Sequence, residues 1–339
     1  MVIDYARSAV PVLSAANRTN LKEKAMKNFL EWFTRNFTIW VVLFGILAYL
    51  VPAPFLVLRP GMNWFFALTM FGIGAALELE DFRRILRAPW PVAVGCAAQF
   101  FFMPLGAFVF GNLMGLPDVL VVGLVLTGAA PGAMSSNVMS YIAKADAAYS
   151  VSLTTVSTLL CPVLTPGLTL LLAGTRMDVS FLAMFWSVVW TVVIPLLLGL
   201  LLKYRFEKYV GRILPVFPAI SATFIVFICS MVIALNRDYL AAMTGIVLAA
   251  CLVLNLYGMA AGYGVGMLFR MNTKRRRTLS IEIGMQNAGL GVVLALDHLD
   301  QRSAIPSAIF VFVCIITASL AAAWWQRHPG EEPSAGQPC

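Results

Sequence analysis

The chain has 339 residues, of which 60% are hydrophobic and only 12% charged, and its mean hydropathy is +0.85. Soluble proteins carry roughly a quarter of their residues as Asp, Glu, Lys and Arg, so these figures exclude an ordinary soluble fold and point to a polytopic protein whose solvent is the lipid bilayer. The net charge of +8 does not indicate a nucleic-acid partner, because Lys and Arg lie in short segments between apolar runs, where topology determinants lie.

Residues 1–36 are basic and contain no continuous apolar core of signal-peptide length, which predicts a cytoplasmic N-terminal tail. A run of ~20 apolar residues suffices for one helical crossing. Ten such runs follow, near 37–57, 62–79, 89–113, 117–142, 147–173, 180–202, 213–235, 239–269, 278–297 and 304–325. They do not alternate apolar and polar residues as barrel strands would, so the class is an all-α polytopic membrane protein. Residues 326–339, rich in Pro, Gly and charge, predict a second cytoplasmic tail. Ten spans return both termini to one side. With that side cytoplasmic, 20 of the 24 Lys and Arg residues face inward and only Arg59, Arg176, Arg237 and Arg302 face outward, the bias of an inner-membrane protein.

The third span holds Gln99 within QFFFMPLG, and the fourth is interrupted by APGAMSSN, Ala130 to Asn137. Pro131 removes a backbone donor and clashes with the preceding turn. Ser135, Ser136 and Asn137 then offer oxygen atoms. Unpaired backbone groups are so costly in hydrocarbon that such a break is tolerated only where protein or a wet cavity covers it. In the fifth span, Ser152, Thr155, Ser157 and Thr158 are expected to bond the carbonyl one turn back. The eighth contains NLYGMAAG, from Asn255, which parallels QFFFMPLG; Asn255 is either a cavity residue or an interhelical hydrogen-bond donor. The ninth carries IEIGMQNAG, Ile281 to Gly289, a second polar interruption. The halves 37–173 and 180–325 therefore read as repeats, and because each has five spans the second enters the membrane inverted, as in many secondary transporters.

Of the 16 Asp and Glu residues, only Glu282 belongs to one of these interruptions. An ionisable side chain within a span is a functional candidate; the alternative is a salt bridge to Arg277, five residues earlier. Freed carbonyls with Ser, Asn, Gln and Glu oxygens make a hard-ligand set suited to Na⁺, while half-helix N-termini carry positive partial charge suited to an anion. Cys96, Cys161, Cys229, Cys251 and Cys314 fall within apolar runs without CxxC or Cys/His spacing, which predicts packing rather than a disulfide framework or zinc site. An intramembrane enzyme would need a nucleophile with a base, or a metal-binding cluster, and neither pattern occurs.

The stretches SSNVMSYIAKADAAYSVSLTTVSTLLCPVLTP and SIEIGMQNAGLG closely resemble the bile acid:sodium symporter family, and the resemblance runs from about the second span to the tenth. It implies a panel and a core subdomain, with discontinuous fourth and ninth spans that cross. It also implies two transported Na⁺ ions. By motif, the first would be held by Ser136, Asn137, Ser150, Thr154 and Glu282. The second would be held by Glu282, the backbone carbonyls of Ile283 and Met285, and the side chains of Gln286 and Gln99. Asn137, Asn287 and Met134 would line the substrate cavity. The sequence departs from the family pattern at Ala133 and Met134, and at Cys314 and Ile315 in the tenth span, positions that bear on the substrate rather than the ions. The implied function is sodium-coupled symport of an organic anion, bile acid-like or a small carboxylate. The alternatives are a proton-coupled anion carrier using Glu282 and an ion channel.

Overall fold

The computed structural model describes Trp32 and residues 37–328; the predicted N-terminal tail, Trp32 apart, and the end of the C-terminal tail lie outside the described residues. In chain order the helices are α1 Phe37–Leu50, α2 Ala53–Val57, α3 Met62–Ala76, α4 Leu79–Arg87, α5 Pro89–Leu113, α6 Asp118–Gly128, α7 Ser135–Ile142 and α8 Ala147–Ala173. They continue as α9 Phe181–Val188, α10 Ile194–Arg205, α11 Glu207–Ile213, α12 Phe217–Leu268, α13 Thr273–Gly284, α14 Ala288–His298 and α15 Ala304–Arg327. Among the described residues the extended pairing is a single antiparallel bridge, Gly132 with Gln286.

Among the described residues six helical stretches are long and apolar enough to cross a bilayer: Pro89–Leu113, Ala147–Ala173, Phe181–Arg205, Glu207–Tyr239, Met243–Leu268 and Gln301–Arg327. The pair Arg59–Ala76 and Leu79–Arg87, bent by 72°, makes a seventh if counted as one span. The runs expected at 37–57, 117–142 and 278–297 are instead divided. Pro52 separates α1 from α2, and the other two divide at their polar interruptions into α6 with α7 and α13 with α14. The boundary expected between 213–235 and 239–269 is a single non-helical residue, Asn236, with φ −120° and ψ 16° inside one helical run. Between α9 and α10, Val189–Val193 forms a π turn just before Pro195, whose missing N–H such a turn accommodates.

Small residues bring the helices close. A Cβ on Gly74 of α3 would collide with the Leu196 carbonyl of α10, and one on Gly199 of α10 with the Phe71 carbonyl of α3. Half-helices α6 and α14 lie at the centre, with Leu120 to Gly128 and Ala288 to Leu296 buried throughout. Enclosure on every side explains why both read as continuous apolar runs. It also places their broken ends inside protein rather than against lipid.

Loops gather at two ends. At one, Arg59 donates to the Leu296 carbonyl at 3.1 Å, Asn63 to Asp297 at 2.7 Å and Ser303 to the Val119 carbonyl at 3.0 Å, and Arg176 pairs with Asp118. At the other, Lys203 donates to the Leu77 carbonyl at 3.0 Å, Arg275 to Asp146 at 3.4 Å and Arg277 to the His328 carbonyl at 2.7 Å.

Candidate functional site

The two breaks are built on each other. The Ala133 N–H donates to the Met285 carbonyl at 3.0 Å and the Asn287 N–H to the Pro131 carbonyl at 2.7 Å, so the chain segments pair as a two-rung antiparallel ribbon around Gly132 and Gln286. The remaining freed groups are met by side chains. Thr165 donates to the Ala129 carbonyl at 2.7 Å, Gln99 to the Ala130 carbonyl at 3.4 Å, and the Ser157 hydroxyl accepts from the Gly132 N–H at 3.3 Å. On the other strand the Gln286 amide donates to the Ile283 carbonyl at 3.0 Å and Asn255 to the Gly284 carbonyl at 2.7 Å. Buried backbone groups demand such partners, and these bonds allow two helices to stop inside a membrane protein.

Glu282, 1% exposed, sits in the last turn of α13 beside this ribbon. Its carboxylate accepts from Ser136 at 2.5 Å, Ser150 at 2.8 Å and Thr154 at 2.5 Å. Ser136 and Ser150 lie 3.4 Å apart, and Thr154 also reaches the Asn137 side-chain oxygen at 3.2 Å. The five residues assigned by resemblance to the first ion are therefore in mutual contact, although they come from three helices. Charge-assisted bonds of this kind compensate a buried anion that would otherwise be prohibitively costly. Among the described residues none of its partners is a basic side chain. Arg277, the other buried charged side chain among the described residues, turns away and donates to the carbonyls of Trp325 at 3.4 Å and His328 at 2.7 Å. The salt-bridge alternative for Glu282 thus gives way to a ring of hydroxyls.

Of the second set, Gln99 donates to the Gln286 side-chain oxygen at 3.1 Å, and the Gln286 amide bonds the Ile283 carbonyl. The Met285 carbonyl is engaged by Ala133, though a carbonyl keeps a second lone pair. Gly132 lies between the two sets: a Cβ there would run into the Glu282 carboxylate and stand 3.6 Å from the Gln99 side-chain oxygen. Asn137, Met134 and Asn287 are half-buried. Asn137 donates to the Met134 sulfur at 3.5 Å, and the Asn287 side-chain oxygen caps α14 through the Leu290 N–H at 3.3 Å.

Four helix ends converge here: the C-termini of α6 and α13 and the N-termini of α7 and α14. The first pair carries about half a negative charge each and the second about half a positive charge each. The crossover accordingly offers places for cations and for an anion side by side.

Ser152 bonds the Ala148 carbonyl at 3.0 Å as expected. Ser157 does the same with Thr154 at 3.1 Å while also serving Gly132, whereas Thr155, contrary to the same expectation, is buried without a partner among the described residues. Asn255 is an interhelical donor. The contribution of Thr165 was missed. Its signal is the spacing of Ser150, Thr154, Ser157 and Thr165, which share one face of α8 at intervals of three, four and eight.

The chain matches the model of the Sodium Bile acid symporter family over residues 64–243. It is 36% identical over 293 residues to the uncharacterised sodium-dependent transporter YocS of Bacillus subtilis, covering 86% of this chain and 91% of that protein. It is 35% identical over 321 residues to the probable sodium/metabolite cotransporter BASS1 of Arabidopsis thaliana, covering 91% of this chain and 79% of that one. It is 32% identical over 304 residues to the probable sodium/metabolite cotransporter BASS2 of rice, covering 89% and 73%. Two broken helices meeting over one buried carboxylate thus stand in a sequence related along most of its length to membrane transporters rather than enzymes, and the chain belongs to the sodium bile acid symporter family.

Proposed function

We propose that this protein carries an organic monoanion inward together with two Na⁺ ions by alternating access, crossing the inner membrane ten times with both termini cytoplasmic. The observation that carries the reading is the Glu282 carboxylate ringed by Ser136, Ser150 and Thr154 with the Asn137 side-chain oxygen beside them. Rotating those hydroxyl protons away would leave a compact set of hard oxygens around one negative charge, which suits a small alkali cation. Gln99, Gln286 and the carbonyls of Ile283 and Met285 would serve the second ion, and Asn137, Met134 and Asn287 the anion, near the N-termini of α7 and α14.

Coupling follows from charge. Two Na⁺ with one carboxylate leave a net positive site in a low-dielectric setting, and a monoanion neutralises it. Each ligand then binds poorly without the other, and the linkage is reciprocal.

The architecture has independent support. Gln99 donates to the Ala130 carbonyl and Asn255 to the Gly284 carbonyl, so in each half an amide from the preceding span holds the break of that half, as a repeat requires. The arginines expected outside, Arg59, Arg176 and Arg302, share one end of the molecule, while Lys203, Arg275 and Arg277 share the other. A panel of α1, α3, α9, α10 and the first half of α12 would face a core containing the ion ligands. Asn63 to Asp297, Arg59 to the Leu296 carbonyl, and Asn236 to the Gln301 carbonyl at 3.4 Å tie the two at the outward end, an arrangement suited to a carrier closed on that side.

A proton-coupled carrier is the nearer rival. Three hydroxyls donating to Glu282 serve an ionised carboxylate, which favours the sodium reading. Replacing external Na⁺ by choline at fixed pH in proteoliposomes should abolish anion uptake; uptake that continues unchanged would end the sodium reading and leave the proton-coupled one.

A further inference from the structure

Helices α13, α8 and α5, which carry Glu282, Ser150 with Thr154, and Gln99, are fastened together a turn or two before those residues, at the end bearing Arg275. Thr278, fully buried on α13, accepts from the Asp146 N–H at 3.0 Å and lies 3.1 Å from the Asp146 carbonyl. One carboxylate oxygen of Asp146 caps α8 through the Tyr149 N–H at 3.0 Å, and the other accepts from Arg275 at 3.4 Å. The Arg275 guanidinium lies over the Tyr149 ring, 5.6 Å from its centre, and the Tyr149 hydroxyl donates to the Pro91 carbonyl of α5 at 2.6 Å.

The register is what gives this clasp meaning. On α13, Arg275, Thr278 and Glu282 follow one another at intervals of three and four, so they share one face. On α8, Asp146, Ser150 and Thr154 follow at intervals of four and face the same seam. On α5, Gln99 lies two turns beyond Pro91. One layer therefore holds Asp146 and Thr278, tied to Pro91 through Tyr149, and the next polar layer of that seam holds Ser150 and Glu282. Between them the helices are in direct contact: a Cβ on Gly95 of α5 would collide with Leu153 of α8 and stand 2.9 Å from Leu279 of α13 and 3.1 Å from the Tyr149 hydroxyl. Side chains of all three helices fill this layer, so a slip in the first layer would pass to the second through packed contacts.

We infer that Asp146, Thr278 and Arg275 are positioning residues for the first sodium site, setting Na⁺ affinity by fixing the register of α13 against α8 so that Ser150 and Thr154 meet Glu282. They touch neither ion nor anion. The inference rests on the sodium reading above, and what it adds is that groups outside the ion-ligand layer govern cation affinity separately from anion affinity.

The test measures Na⁺-induced thermal stabilisation of purified protein, and the Na⁺ and anion concentrations for half-maximal uptake, in T278V, T278S and R275Q. Groups that orient metal ligands without touching the metal typically change affinity ten- to a hundredfold. T278V should therefore raise half-saturating Na⁺ by about tenfold or more, with anion half-saturation at saturating Na⁺ unchanged, and T278S should restore it. R275Q, at a partly exposed position that tolerates replacement, should shift the Na⁺ response in the same direction, and it decides the matter if T278V does not fold. A merely structural clasp would lower the melting temperature equally with and without Na⁺ and leave half-saturating Na⁺ where it was; that result overturns the inference. Wild-type protein that gains no stability from Na⁺ overturns the sodium reading itself, so the two failures are told apart.

Discussion

Glu282 concentrates the chemistry of this protein in one side chain. A carboxylate 1% exposed with no basic side chain beside it among the described residues is tolerable because Ser136, Ser150 and Thr154 all point hydroxyls at it. On the sodium reading proposed above, each hydroxyl would exchange that role for metal coordination by turning its proton outward, and the pocket would pass between ion-free and ion-bound states with little rearrangement. Glu282→Gln keeps the size and removes the charge. Removing one partner of a buried charged pair costs about 3–5 kcal/mol, and about 1.4 kcal/mol is a factor of ten. The variant should therefore lose Na⁺-dependent stabilisation over more than two decades of Na⁺ concentration while remaining folded. A thermal-shift titration with NaCl against choline chloride measures this directly, and an unaltered Na⁺ response would remove Glu282 from the site.

At the scale of elements, the ribbon between the two breaks is the organising unit. It joins residues about 150 positions apart by two backbone hydrogen bonds, and it works only because Gly132 has no side chain. A Cβ at that position would meet the Glu282 carboxylate, which three hydroxyls hold in place. Gly132→Ala must therefore displace either the carboxylate or the ribbon. Overpacking of this kind costs roughly 1–3 kcal/mol, and a drop in melting temperature together with a weakened Na⁺ response is expected, measured by thermal shift and by uptake. Wild-type behaviour would mean that the carboxylate is free to move, contrary to its bonding.

For the whole molecule, coupling predicts movement of charge. If two Na⁺ accompany one monoanion, each cycle carries one net positive charge inward, and a membrane potential negative inside drives it by ~2.3 kcal/mol per 100 mV. Substrate applied to protein in a solid-supported membrane should evoke an inward positive current that scales with the Na⁺ gradient. Substrate-dependent uptake without current would contradict the stoichiometry. If the core moves against the panel as proposed, the ties of Asn63 to Asp297 and of Arg59 to the Leu296 carbonyl would have to open and close within the cycle.

Sequence alone determined the class of this protein, because bilayer solvation imposes apolar runs of a given length and polar residues inside them stand out against that background. It located both breaks, since Pro131, Gly132 and the Ser-Ser-Asn that follows, like the Gly-Met-Gln-Asn after Ile283, have no reason to be in hydrocarbon. It singled out Glu282 by the same contrast. The spacing of runs placed the boundary at the Asn236 kink but was less informative where a proline divides a run, as at Pro52. What only the tertiary structure decided is which groups meet: that the two breaks pair backbone to backbone, that Thr165, Ser157 and Asn255 complete them, and that Glu282 turns to hydroxyls rather than to Arg277. The reason is physical. Solvation acts on each residue where it stands and so is written locally along the chain. A hydrogen bond between residues a hundred or more positions apart exists only once packing has brought their helices into register.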